Sequence, residues 1–217
     1  MPEPRRPSNS AAFLLAGLTG GVASGKSFVA ECFRALGAAV LDGDKTGHAV
    51  LREPAIIDAI RDRWGEGVLD AQGQVNRSAV AKIVFAPGNE AEKQFLEQLT
   101  HPRIHTRLQR QMEQLQASDS PPAAVVIDAA LLFEAGWDKL CDKIVFVDAP
   151  RDIRLERAVA RGWSADQLAA RETAQLPLEE KRNRSHIVIR NVRSRDNVRE
   201  VVRLTWEQLL PHESSGS

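Results

Sequence analysis

The chain has 217 residues, 43 % of them apolar, with 29 basic against 29 acidic side chains. That length fits one domain, or a core domain carrying small inserts, and the apolar share excludes global disorder. The zero net charge argues against a general nucleic-acid binder, which carries a basic excess, and no segment reaches the ~20 apolar residues of a membrane span.

The Pro-rich, polar start predicts a disordered tail over residues 1–11. Arg5 and Arg6 before the apolar run Ala11 to Leu18 give a faint likeness to a signal peptide. The run is short and passes straight into glycines, so Phe13–Leu18 reads as a buried first strand. Residues 26–36 read as a helix stopped by Gly37, and Ala38–Leu41 as a second strand ending at Asp42-Gly43-Asp44. A helix begins near Lys45. Pro54 starts another, with Ile56, Ile60 and Trp64 on one face. After a turn at Asp70–Gly73 come helices over 78–85, 90–99 and 102–117. Residues 45–118 therefore read as a helical insertion, closed by the linker Ser118–Pro122. Strands follow at Ala123–Ile127, Lys143–Val147 and Ile187–Ile189, with helices over 151–161, 165–174, 178–184 and 195–209.

Strands alternating with helices predict an α/β fold, a parallel sheet covered on both faces. Its core spans 12–44, 123–150 and 186–210, and 211–217 form a second disordered tail. Cys32 and Cys141 lie far apart and outside any CxxC pair, which argues against zinc and disulfides and for a reducing, cytoplasmic setting. Trp64, Trp137 and Trp163 read as packing residues, with a base-stacking role as the rival.

Gly20-Gly21-Val22-Ala23-Ser24-Gly25-Lys26-Ser27 fits G-x-x-x-x-G-K-[ST], between a strand and a helix as its mechanism requires. Its glycines let backbone N–H groups, that of Phe28 included, curl around phosphates at a helix N-terminus. Lys26 reaches the β- and γ-phosphates. The Ser27 hydroxyl coordinates Mg²⁺ bound with ATP, and Asp128, after an apolar strand, is placed to hold that ion through water or to be a turn residue. No N-K-x-D guanine motif is present, so a small kinase is the reading. Asp44 is the candidate base, with a helix cap as its alternative role and Asp42 as its rival. Residues 151–199 hold twelve Lys/Arg against seven Asp/Glu. Arg154, Arg157 and Arg161 share one helical face, either a cationic lid over ATP or a solvated surface. His101 before Pro102 fits a cap or a hydrogen-bonding core residue better than a catalyst.

An ordered set of segments resembles the dephospho-CoA kinase family. It comprises Leu18–Ser27, Val40–Asp44, Asp70–Arg77 with Val84-Phe85, Leu99–Ile104, Val126–Glu134, Arg171 with Gln175 and Glu180-Lys181, and Ile189–Asn191. The resemblance covers roughly residues 13–210. It implies a P-loop NTPase fold in three layers, with a helical CoA-substrate domain and a helical lid over 151–185. It implies phosphorylation of the ribose 3′-hydroxyl of dephospho-CoA by ATP, the last step of coenzyme A synthesis, by a cytoplasmic monomer or weak homo-oligomer. Asp44 would be the base, Arg157 and Arg161 lid cations, and Arg77, His101 and Glu134 substrate-side residues. The sequence departs from the family's pattern at Ala23 (commonly Gly), Phe28 (commonly Thr), Ala130 (Pro), and Gly43 with Lys45–His48, where His48 takes the place of an Arg. A kinase for another small hydroxyl substrate, a nucleotide-binding switch or assembly protein without an acceptor, and a degenerate, inactive relative are the competing functions.

Overall fold

The computed structural model describes residues 13–192 and 194–210; the expected tails over 1–11 and 211–217 lie outside these. The chain divides into two compact units, one running to Asp42 and resuming at Gln111, the other Gly43–Arg110.

The first unit is built on five parallel strands, β1 (Leu14–Gly20), β2 (Ala39–Asp42), β3 (Ala124–Asp128), β4 (Lys143–Asp148) and β5 (Ile187–Arg190), in the order β2-β3-β1-β4-β5. Six of the seven residues of β1 are buried, as expected for a strand covered on both faces. Helices α1 (Lys26–Ala35) and α9 (Arg195–Leu209) pack together on one face. There Ala16, Leu18, Val126, Val145, Val147 and Ile189 meet Val29, Phe33, Val198, Val202 and Trp206. Phe33 is fully buried with its ring centroid 6.2 Å from that of Trp206, so Phe33→Ala would cost about 3–5 kcal/mol. The strand residues between these, Leu15, Ile127, Ile144 and Phe146, are buried too, on the face that α8 (Leu178–Asn183) and the 3₁₀ turn Trp137–Leu140 approach at β1. Helices α6 (Arg151–Val159) and α7 (Ala165–Thr173) lie in the same unit.

The second unit holds α2 (Gly43–Val50), α3 (Pro54–Trp64), α4 (Arg77–Val84) and most of α5 (Glu90–Gln116). Asn76 caps α4 by accepting from the N–H groups of Ser78 and Ala79. The helices expected over 90–99 and 102–117 are one helix, with Pro102 inside it. A proline there removes a single N–H, and its neighbours supply local bonds to nearby carbonyls. Arg103 donates to the Leu99 carbonyl at 3.2 Å and Thr106 to that of Pro102 at 2.9 Å. Among the described residues no helix is long and apolar enough to cross a membrane.

Candidate functional site

The phosphate-loop motif leaves the sheet at Gly20, the last residue of the central strand, and enters α1 at Lys26. Two glycines are fixed by sterics. A Cβ on Gly20 would lie 2.7 Å from the Val147 carbonyl oxygen. Gly25 sits at φ of 89°, and a Cβ there would lie 2.1 Å from Asn191 Nδ2. Ala23 has φ of 60°, the left-handed region, and among the described residues no other non-glycine does so. This gives a reason for glycine at that position in the family's pattern. The Ala23 methyl is buried against Ala158 and Leu168, bordered by Leu155 and Trp163.

The loop is held from outside by two side chains. Asn191 Nδ2 and Arg157 Nη1 each donate to the Ser24 carbonyl at 2.8 Å. Arg157 Nη2 in turn donates to the Asn191 carbonyl at 3.0 Å. The Ser24 carbonyl is thereby satisfied, while the Ser24 N–H donates to the Gly21 carbonyl and the Phe28 N–H to that of Gly25, each at 3.0 Å. Burial and the nearby Arg161 charge lower the pKa of Arg157, though a guanidinium stays charged at any working pH.

Inside the cradle, Lys26 Nζ bonds Asp128 Oδ1, both side chains being largely buried. Asp128 ends β3, beside Leu18 of β1 and opposite Asp42 at the end of β2. A lysine and a carboxylate thus meet at the carboxyl edge of the sheet, where open α/β sheets bind ligands, and Ser27 follows Lys26, exposed in the first turn of α1. Ser27 and Asp128 are hard oxygen donors, a set that fits Mg²⁺ sharing its other positions with phosphate and water.

A second polar knot lies behind the loop that follows β3. Lys181 is fully buried, and its Nζ donates to the Ala130 carbonyl at 2.8 Å, to Gln175 Oε1 at 3.0 Å and to Glu134 Oε1 at 2.8 Å. Glu134 Oε1 also accepts from the Leu176 N–H at 2.9 Å. Glu134, expected on the substrate side, thus has one oxygen engaged within the core, while its Oε2 is buried with no hydrogen-bond partner among the described residues. Ala130, where the family's pattern has proline, is steadied by the buried lysine.

The three arginines of the α6 face have separate surroundings. Arg154 is 5 % exposed, donates to the Ala149 carbonyl at 3.0 Å and pairs with Glu172. Arg157 grips the phosphate loop. Arg161 is exposed, its guanidinium 6.0 Å from the Trp163 ring, which Arg171 approaches to 4.3 Å.

In the second unit, Asp44 is exposed in the first turn of α2, two residues beyond the end of β2. Arg77 is exposed at the start of α4 and donates to His48 Nε2 at 2.6 Å. Arg77, expected on the substrate side, and His48, which departs from the family's pattern, are therefore neighbours. His101 lies inside α5, and burial, with a smaller effect of the Lys93 charge, lowers its pKa.

Comparison with known proteins agrees with this fold. The sequence profile of the dephospho-CoA kinase family matches residues 14–197. A dephospho-CoA kinase of Symbiobacterium thermophilum is 38 % identical over 193 residues, covering 88 % of this chain and 79 % of that protein. A crystal structure from Thermus thermophilus superposes with a TM-score of 0.76 at 32 % identity, covering 92 % of this chain and 99 % of that one. The dephospho-CoA kinase of Campylobacter jejuni gives a TM-score of 0.64 at 26 % identity over 90 % of this chain and 96 % of its own. With an ATP-type phosphate loop on the central strand and a family profile spanning most of its length, the chain belongs to the dephospho-CoA kinase family.

Proposed function

We propose that this chain transfers the γ-phosphoryl group of ATP to the ribose 3′-hydroxyl of dephospho-CoA, giving coenzyme A and ADP, the last step of coenzyme A synthesis. The observation that carries the reading is the phosphate loop with Lys26 paired to Asp128 at the carboxyl edge of the sheet, in a chain of this family. On binding ATP, Lys26 exchanges Asp128 for the β- and γ-phosphates, and backbone N–H groups of the loop take the phosphate oxygens. Ser27 and Asp128 are the residues that would hold Mg²⁺ arriving with ATP, and the ion would supply neutralisation of the phosphate charge.

Asp44 accepts the proton of the 3′-hydroxyl as its oxygen forms the new bond to phosphorus and ADP leaves. The carboxylate has little else to do, because such transfers rest on positioning and electrostatics. We assign Gly43–Arg110 as the acceptor-binding unit, with Arg77, His48 and His101 as its polar residues. We assign 151–185 as the lid, with Arg161 its exposed cation and Arg157 its anchor on the phosphate loop. On this reading the protein works in the cytoplasm, as a monomer or weak homo-oligomer.

The test is ADP release from Mg-ATP with and without dephospho-CoA, with Asp44→Asn as control. Release that needs dephospho-CoA and is lost in the variant is expected. Release indifferent to the acceptor would sink the proposal.

A further inference from the structure

We infer that Phe28 and Arg195 form a platform on which the nucleobase of ATP stacks, a reading that rests on the ATP-kinase function above. Phe28 follows Ser27 in the first turn of α1 and stands where the family's pattern has threonine. A threonine would offer the α-phosphate a hydroxyl; an aromatic ring offers none, and it is only partly buried. Two guanidiniums of α9 face that ring, Arg195 at 5.3 Å and Arg199 at 5.6 Å from its centroid. Arg199 is committed to Asp196 at 2.6 Å, whereas Arg195 is exposed and pairs with no carboxylate among the described residues.

The place of this pair in the cradle decides its use. Lys26 serves the β- and γ-phosphates, and on this reading the α-phosphate and the nucleoside leave the loop past Ser27, toward Phe28 in the first turn of α1. Asn191, four residues before Arg195, is fastened to the Ser24 carbonyl at 2.8 Å. The segment that delivers Arg195 is therefore anchored to the phosphate loop at one end and to Phe28 at the other. A guanidinium is planar, weakly hydrated and stacks on aromatic faces. Backed by the Phe28 ring and open to solvent, Arg195 presents a flat cationic surface to a base at the point where the nucleoside emerges.

Binding of Mg-ATP and of magnesium tripolyphosphate, which has no base, to the whole protein tests this by calorimetry. Arg195→Ala weakens Mg-ATP binding roughly 5- to 20-fold, the size of one stacking contact, and leaves tripolyphosphate within about twofold. Phe28→Leu has the same pattern, and Arg195→Lys, which keeps charge without the plane, behaves like the alanine variant. Equal losses for both ligands would mean that Arg195 acts on the phosphate loop, and full recovery in Arg195→Lys would mean that charge alone matters; either overturns the inference. Unchanged ATP binding in Arg195→Ala, with acceptor-dependent turnover intact, overturns it and leaves the kinase function standing. A wild-type protein that binds no ATP would sink the kinase reading itself.

Discussion

Lys181 and Glu134 form an ion pair at 2.8 Å in which the lysine has no solvent exposure at all. The charge is tolerated because Nζ is also bonded to the Ala130 carbonyl and Gln175. Lys181→Met would leave the Glu134 carboxylate buried without its cation and cost about 3–5 kcal/mol. Combining Lys181→Met with Glu134→Leu removes both charges and recovers at least half of that loss. Urea midpoints of the wild type, the single variant and the double variant check this; equal stability of single and double variants would refute a paired charge.

Asp44→Asn lowers acceptor-dependent turnover by about 10²–10⁴-fold, the range of a general base, and leaves Mg-ATP affinity within about twofold. Lys26→Ala weakens both. Steady-state kinetics with parallel ATP titration separates the two. A loss of ATP affinity in Asp44→Asn that matched its loss of turnover would place Asp44 on the metal instead.

Ala23→Gly is a balance of three effects. Relief of the left-handed backbone gains about 1–2 kcal/mol, while the lost methyl burial costs about 0.8 kcal/mol and the freer unfolded chain about 0.5–1 kcal/mol. The sum lies near zero, so stability should change by under ~1 kcal/mol. Ala23→Val puts a β-branched side chain at φ of 60° and destabilises by more than about 2 kcal/mol, on the order of a strained, overpacked site. Thermal unfolding of the two variants gives the answer, and a stable valine variant would contradict the loop conformation.

Burial pushes the pKa of His101 and of His105 down, with the Lys93 charge adding to the effect at His101. In the unfolded chain both return to about 6.5. Below that value the unfolded state binds more protons, so stability is full above it and is lost as pH falls toward the depressed folded values. The urea midpoint should drop between about pH 7.5 and about pH 5.5, either side of that unfolded value, and drop less in His101→Gln. An identical drop in the variant would assign the pH dependence to other groups.

The path from Leu14 to Asp42 is legible in the sequence because apolar runs, a glycine loop and a Gly37 stop encode strand, loop, helix and strand within reach of one another. The break expected at Pro102 is absent: the lost N–H and the crowding of the preceding turn cost about 3 kcal/mol, offset by burial of Ile104, Leu108 and Met112 on the same helix. The helix expected near Lys45 begins at Gly43, where packing overrides the poor propensity of glycine.

At the site, Lys26, Ser27 and Asp128 announce themselves by motif and by strand ends. The duties of Asn191 and Lys181 do not, because their partners, the carbonyls of Ser24 and Ala130, lie 167 and 51 residues away. The three arginines of one helical face are indistinguishable in sequence, and only tertiary neighbours separate a buried pair, a loop anchor and an exposed cation.

The middle position of β1 sets an order of events during synthesis. The strand carrying the phosphate loop leaves the ribosome first, yet both strands that flank it come from far downstream, and Lys26 waits for an Asp128 that lies 102 residues later. Through that interval the central strand of the sheet is without its neighbours, the condition under which nascent chains aggregate. Nucleotide binding is consequently among the last properties a new chain acquires, and retention of freshly made protein on immobilised ATP would mark the moment its central sheet has closed.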